Sequence, residues 1–184
     1  MFWIDFCQIW LYNWCICQKG GLFLDYYGKY DSPLGPLLLI SDGKKLTGLY
    51  MNREVPENTP ELPVFRQTEL WLESYFQGEN PGVTVPVNLK GTAFQKQVWN
   101  RLLEIPYGKT VTYGDLAKEI ALWSGKKKMS AQAIGQAVGK NPVSILIPCH
   151  RVIGAGGKLT GYGGGLEKKI WLLRHEGNLS KGEL

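Results

Sequence analysis

The chain has 184 residues, a formal net charge of +5 and a sequence pI of about 9.0. That length holds one large domain or two small ones with a real core, and the excess of cations favours an anionic partner, nucleic acid first. The four cysteines at 7, 15, 17 and 149 show no paired spacing, which argues against a disulfide-stapled secreted scaffold and for a reducing cytoplasm.

The N-terminal stretch, Met1 to Leu24, carries Trp3, Trp10, Trp14 and three of the cysteines. It lacks a cationic leader, and Asp5, Gln8, Asn13 and Gln18 interrupt it, so it is a poor signal peptide and too broken for a membrane span. Cys7, Cys15 and Cys17 have no fourth ligand nearby, and both histidines lie far downstream, so no metal site is expected. Residues 1–25 are expected to be an atypical extension, with a true start at Leu22 or Leu24.

Tyr26–Tyr30 reads as a strand and Ser32-Pro33-Leu34-Gly35 as a turn. Leu37–Ile40 and Leu46–Tyr50 read as two more strands joined by Asp42-Gly43, a hairpin signal because such turns need positive φ. After a proline-bearing loop, Val64–Gln77 has helical spacing and Gly78 is its stop. Val83–Val87 is expected to be a further strand, and Asn88–Gly91 a linker. This half carries no catalytic set.

Thr92-Ala93-Phe94-Gln95 is a capping box, followed by an apolar stripe from Phe94 to Leu103 at helical period. Ile105-Pro106-Tyr107-Gly108 ends that helix. Thr112 caps a second one, Tyr113–Leu122, with Asp115 in its first turn. Lys126, Lys127 and Lys128 form a basic loop, and Ser130 caps a short helix, Ala131–Val138. The pair reads as a helix-turn-helix. Ala131, Ala133, Gly135, Ala137 and Gly139 make the second helix thin. Such a helix suits either tight core packing or close approach to another surface, and the lysines at its entrance tilt the balance towards phosphate contacts. Arg151–Ile153 and Lys158–Leu159, around Gly154–Gly157, are expected to pair as a hairpin. Gly161–Gly165 with Tyr162 is a flexible loop, and Leu166–His175 the last helix.

Between these elements lies Asn141-Pro142-Val143-Ser144-Ile145-Leu146-Ile147-Pro148-Cys149-His150-Arg151-Val152. The apolar run stops at Pro148, which cannot continue a ladder. A thiol beside an imidazole and a guanidinium suggests an electropositive setting, which lowers a thiol pKa and supplies thiolate. A buried structural cysteine is an equal reading of this run.

ILIPCHRV after Asn-Pro resembles the active-site signature of the 6-O-alkylguanine-DNA alkyltransferases, and the resemblance runs in patches from Tyr26 to Gly177. It implies an α+β fold. A ribonuclease-H-like α/β roll over 26–87 would precede a linker at 88–91, a winged-helix-like helix-turn-helix domain over 92–177 and a tail at 178–184. It implies a monomeric cytoplasmic repair protein that moves an alkyl group from 6-O-alkylguanine to its own Cys149 once, with 4-O-alkylthymine as a second candidate donor. Neither cofactor nor metal is needed, because the lesion is the donor. The thin helix, with Ala131, Gln132, Ala133 and Gly135, would enter the minor groove of double-stranded DNA beside Lys126, Lys127 and Lys128.

The resemblance also assigns roles. Cys149 is the nucleophile and His150 its base. Adjacent residues rarely face each other, so a water is the expected link between them. Glu176 would orient the imidazole, Asn141 organise the turn at the thiol, and Tyr113 donate to the leaving base. Backbone carbonyls at Cys149 and Val152 would accept from the guanine amino group. Arg151, Tyr162 and Gly163 complete the expected DNA and base contacts. The chain departs from the pattern twice: Gly163 stands where many members have serine, and Gln132 where many have the arginine that fills the gap left by a flipped base. The alternative is an alkyltransferase-like lesion binder without chemistry, which the intact Cys149 context disfavours. A cysteine hydrolase built on Cys149, His150 and Asn141 is disfavoured by the adjacency of cysteine and histidine. A transcription regulator using only the helix-turn-helix lacks an effector module in this chain.

Overall fold

The computed structural model describes residues 25–56, 60–81 and 84–179. The expected extension, its three cysteines, Val83 and most of the tail lie outside these residues. The N-terminal half is a three-stranded antiparallel sheet, β1 (Tyr26–Ser32), β2 (Gly35–Ser41) and β3 (Leu46–Met51), in that order. Pro33-Leu34 closes the first hairpin. In the second, Asp42 Oδ1 accepts from the amides of Lys44 and Lys45 at 3.0 and 2.8 Å, and Gly43 takes φ +94°, which a side chain would resist. Register places Leu37 opposite Met51 and Leu39 opposite Leu49. These leucines are fully buried against helix α1 (Pro63–Phe76), which presents Val64, Phe65, Leu72 and Tyr75. Each such side chain stabilises the fold by about 1.5–3 kcal/mol. Pro63 opens α1 at its first turn, where the missing N–H costs nothing, and Gly78 follows its end at φ +85°.

The expected strand at Val83–Val87 does not form among the described residues. Pro86 and Val87 make a single bridge: Leu46 N donates to Pro86 O, and Asn88 N to Leu46 O, each at 2.8 Å. Pro86 supplies no N–H, so the ladder cannot extend through it.

In the C-terminal half, α2 (Ala93–Leu103) begins with the expected capping box, both of its hydrogen bonds present. β4 (Val111–Thr112) leads into α3 (Tyr113–Trp123), capped by Thr112, and Ser130 caps α4 (Ala131–Gly139). Trp99 of α2 is buried and donates Nε1–H to Ala137 O at 2.8 Å, so the indole packs against α4 without an orphaned donor. β5 (Val152–Ile153) pairs parallel with β4. This replaces the expected hairpin. Gly156 and Gly157 take φ +66° and +80°, and Gly154 N reaches Lys158 O at 2.7 Å, closing a compact turn rather than a second strand. α5 (Leu166–His175) closes the chain.

The two halves meet at the free edge of β3. Leu49 N donates to Pro142 O at 2.9 Å, and Ser144 N to Leu49 O at 3.0 Å. The segment leading to Cys149 therefore covers an edge that would otherwise expose unpaired backbone groups.

Candidate active site

The segment before Cys149 is folded by one side chain. Asn141 Oδ1 accepts from Val143 N at 3.0 Å, and its Nδ2 donates to Ile147 O at 2.8 Å. The same Nδ2 lies 3.1 Å from Cys149 Sγ. Ile145 sits at φ +68°, a left-handed conformation costly for a β-branched residue. The Asn141 bonds and the Ile147 N to Val143 O bond of 3.0 Å hold the chain in that turn. Pro148 then stops the run, and Cys149–Arg151 form a 3-10 turn with all three residues buried.

Cys149 is 6 % exposed. Burial pushes its thiol above the ordinary value, while the Asn141 amide and the charge of Lys169 pull it down. The expected simple lowering by electropositive neighbours is thus corrected. Arg151 does not face the thiol, and desolvation outweighs the remaining favourable contacts.

His150 is fully buried, and its Nε2 lies 2.7 Å from Glu176 Oε1. Burial raises the Glu176 carboxyl, but hydrogen bonds from His150 and Arg151 and their charges outweigh it and hold the group at about 2. An ionised carboxylate can only accept, so the imidazole proton sits on Nε2 and Nδ1 keeps its lone pair. Nδ1 has no protein partner among the described residues. Burial lowers the His150 pKa despite Glu176, which keeps the ring neutral and able to take a proton.

Arg151 grips Glu176 from the other side, Nε to Oε2 at 2.8 Å and Nη2 to Oε1 at 3.0 Å, and donates Nη1–H to Ile105 O at 2.6 Å. Its guanidinium is spent inside the protein. The expected role in DNA contact is therefore corrected to one of anchoring the carboxylate.

Tyr113, at the start of α3, is half-buried beneath α4: a Cβ on Gly135 would lie 3.8 Å from its ring. Burial raises its phenol, the Cys149 charge adds to this, and a hydrogen bond with Thr160 opposes it. Tyr113 is thus a neutral donor close to the thiol. Tyr162 stands edge-on to His150, ring centroids 6.5 Å apart, and Gly163 beside it is exposed. Gln132, Ala131 and Lys126 to Lys128 are exposed along one side of α4 and its entrance, with Ala133 and Gly135 partly buried behind them. The structure thus pairs Asn141 with Cys149 and, through the neighbouring residue, His150 with Glu176, with Tyr113 nearby, and leaves the α4 residues on the adjoining surface.

Two participants were not legible as site residues. Lys169 is fully buried and donates Nζ–H to Val152 O at 2.6 Å and Thr160 O at 2.9 Å. Burial lowers its pKa to about 8, with the Cys149 charge opposing. The Val152 carbonyl expected to receive guanine is thus already polarised by an ammonium, with one lone pair left. The sequence signal was its position, three residues before Leu172 and seven before Glu176 on the buried face of α5. Tyr75, from α1, donates its hydroxyl to Glu176 Oε1 at 2.8 Å. Nothing distinguished it from the other aromatics of that helix.

A buried thiol followed in sequence by a histidine–carboxylate pair, beside a helix-turn-helix, fits a nucleophilic cysteine joined to a DNA-binding module. Comparison with known proteins agrees. Residues 93–178 match the 6-O-methylguanine DNA methyltransferase DNA-binding domain, and residues 26–89 the ribonuclease-like domain of the same family. The methylated-DNA–protein-cysteine methyltransferase of Methanosarcina acetivorans is 47 % identical over 159 residues, covering 83 % of this chain and 99 % of that one. The protein of the same name from Haemophilus influenzae is 44 % identical, covering 82 % and 86 %. A crystal structure of Mycobacterium tuberculosis OGT in complex with DNA superposes with a TM-score of 0.71 at 45 % identity, covering 82 % of this chain and 91 % of that one. The chain belongs to the 6-O-methylguanine DNA methyltransferase family. Among the described residues no helix is long and apolar enough to cross a membrane.

Proposed function

We propose that this protein repairs DNA by moving a methyl or other alkyl group from 6-O-alkylguanine to Sγ of Cys149, once per molecule. The observation that carries this reading is the relay itself: Sγ under the Asn141 amide, His150 with Nδ1 free, and Nε2 fixed on Glu176. The thiol proton passes to His150 Nδ1 through a bridging water, leaving a thiolate whose charge is met by the Asn141 amide and Lys169. Sulfur attacks the alkyl carbon in line. The S–C bond forms as the C–O bond breaks, and the electron pair leaves with guanine. The raised Tyr113 phenol keeps its proton and donates a hydrogen bond to the departing base. The product thioether is neutral and has no step back, so one turnover consumes the protein.

The target base is inside a duplex and must be extruded. We place α4 in the minor groove, where its small residues permit close approach, with Lys126, Lys127 and Lys128 on phosphates and Gln132 at the vacated position. The lysines are exposed, as such contacts require. The working unit is a cytoplasmic monomer made of residues 26–87 and 92–177, joined at 88–91.

The test uses a duplex with a radiolabelled methyl group on guanine. Wild-type protein is expected to take up the label. Cys149→Ser is expected to bind the duplex with similar affinity and take up none. Label on the Cys149→Ser protein would defeat the proposal.

A further inference from the structure

We propose that Tyr75, in the N-terminal half, is a positioning residue for alkyl transfer: its hydroxyl holds Glu176 so that His150 presents a free Nδ1 towards Cys149. The inference rests on the transfer reading of Cys149, His150 and Glu176 given above.

Tyr75 is fully buried, in a part of the core where a phenylalanine would satisfy packing. Its ring stacks on Trp71 at 5.4 Å and meets Phe76 and Tyr107 edge-on at 5.4 and 6.0 Å. The rotamer is thereby fixed, and the hydroxyl has one destination. That destination is Oε1 of Glu176, the same oxygen that receives His150 Nε2. The Tyr75 main chain is tied to the same helix end, because His175 Nε2 lies 2.6 Å from Tyr75 O. Tyr75 is therefore clamped to α5 at two points, and through Glu176 it reaches the relay. The other groups whose charges bear on Glu176 or His150 are Arg151, Lys169, Tyr107 and Tyr162. Of the whole set, Tyr75 alone comes from the N-terminal half.

A donor on Oε1 has two consequences. It fixes the carboxylate at the spot from which it orients the imidazole. It also withdraws negative charge from the oxygen that stabilises His150 when the ring takes a proton, which restrains the basicity of His150. A hydroxyl that merely satisfied itself would do the first by accident and would leave the second without effect on chemistry.

The experiment measures methyl-transfer rate against pH for wild type, for Tyr75→Phe, and for protein with 3-fluorotyrosine at position 75. The fluorinated phenol keeps its ring and hydroxyl but is a stronger donor. Loss of the donor should raise His150 basicity and move the acid limb of the profile up by roughly half to one pH unit. The stronger donor should move it down. Where Tyr75→Phe does not fold, the fluorotyrosine protein alone decides. An acid limb that fails to move as stated in folded protein overturns the inference. Absence of transfer by the wild type would instead overturn the functional reading beneath it.

Discussion

Five donors converge on the carboxylate of Glu176: Tyr75 OH, His150 Nε2, two nitrogens of Arg151 and the Gly108 amide. Burial raises the group, but the hydrogen bonds and charges of His150 and Arg151 outweigh it and depress the carboxyl from its ordinary 4.5 to about 2. A carboxyl depressed in the folded state contributes stability that is present above its unfolded value and lost as pH falls through the folded one. The shift corresponds to about 3 kcal/mol, lost between roughly pH 4.5 and 2. His150, also depressed and buried neutral, adds a loss that begins as pH falls below its ordinary 6.5. Thermal melts are therefore expected to drop in two stages on acidification. Glu176→Gln should flatten the lower stage, while costing about 3–5 kcal/mol at neutral pH because Arg151 loses its counter-charge. A melting temperature constant from neutral to acid pH would contradict this account. Gln132 poses the other question at this scale. Its amide carries donors and an acceptor for an orphaned cytosine but no charge. Gln132→Ala is expected to slow transfer from duplex DNA far more than from a free modified base, and Gln132→Arg to match or exceed wild type on duplex. Equal losses on both substrates for Gln132→Ala would show that Gln132 supports the fold instead.

The elements differ in how much of them the sequence disclosed. α2, α3 and α4 were legible because their signals are local: Thr92 with Gln95, Thr112 with Asp115, and Ser130 each cap a helix through bonds within a few residues. The asparagine turn and the cysteine loop were legible through the motif. The β4–β5 pairing was not. Val111 and Val152 meet across 41 residues, and nothing near Val152 announces a parallel partner. Gly156 and Gly157 look in sequence like a hairpin tip, but at positive φ they close a turn. Arg151 beside Cys149 carries no local sign of its direction. Its inward direction depends on Glu176 and Ile105, both remote in sequence. The raised thiol is hidden from the sequence for the same reason: burial is a property of the packed molecule. The loop before α4 carries its own prediction. Replacing Lys126, Lys127 and Lys128 with alanine should weaken binding to any DNA sequence and reduce the salt slope by up to about three phosphate equivalents. An unchanged slope would make them a solvated loop.

At the scale of the molecule, the N-terminal half does more than stabilise its neighbour. The edge of β3 seats the segment that precedes Cys149, and α1 supplies the Tyr75 hydroxyl to Glu176. Asn52 at the end of β3 also donates to Gly164 O at 3.0 Å, fixing the loop beside the site. The segment carrying Cys149 is thus held between the two halves. Within the described residues Cys149 is the one free thiol. The most direct measurement is peptide mass mapping of the native protein after incubation with excess methylated-guanine duplex. The account predicts one added methyl group per molecule, on the peptide containing Cys149, and no further uptake with time. A methyl group on any other residue, or tight lesion binding with Cys149 unmodified, would contradict it.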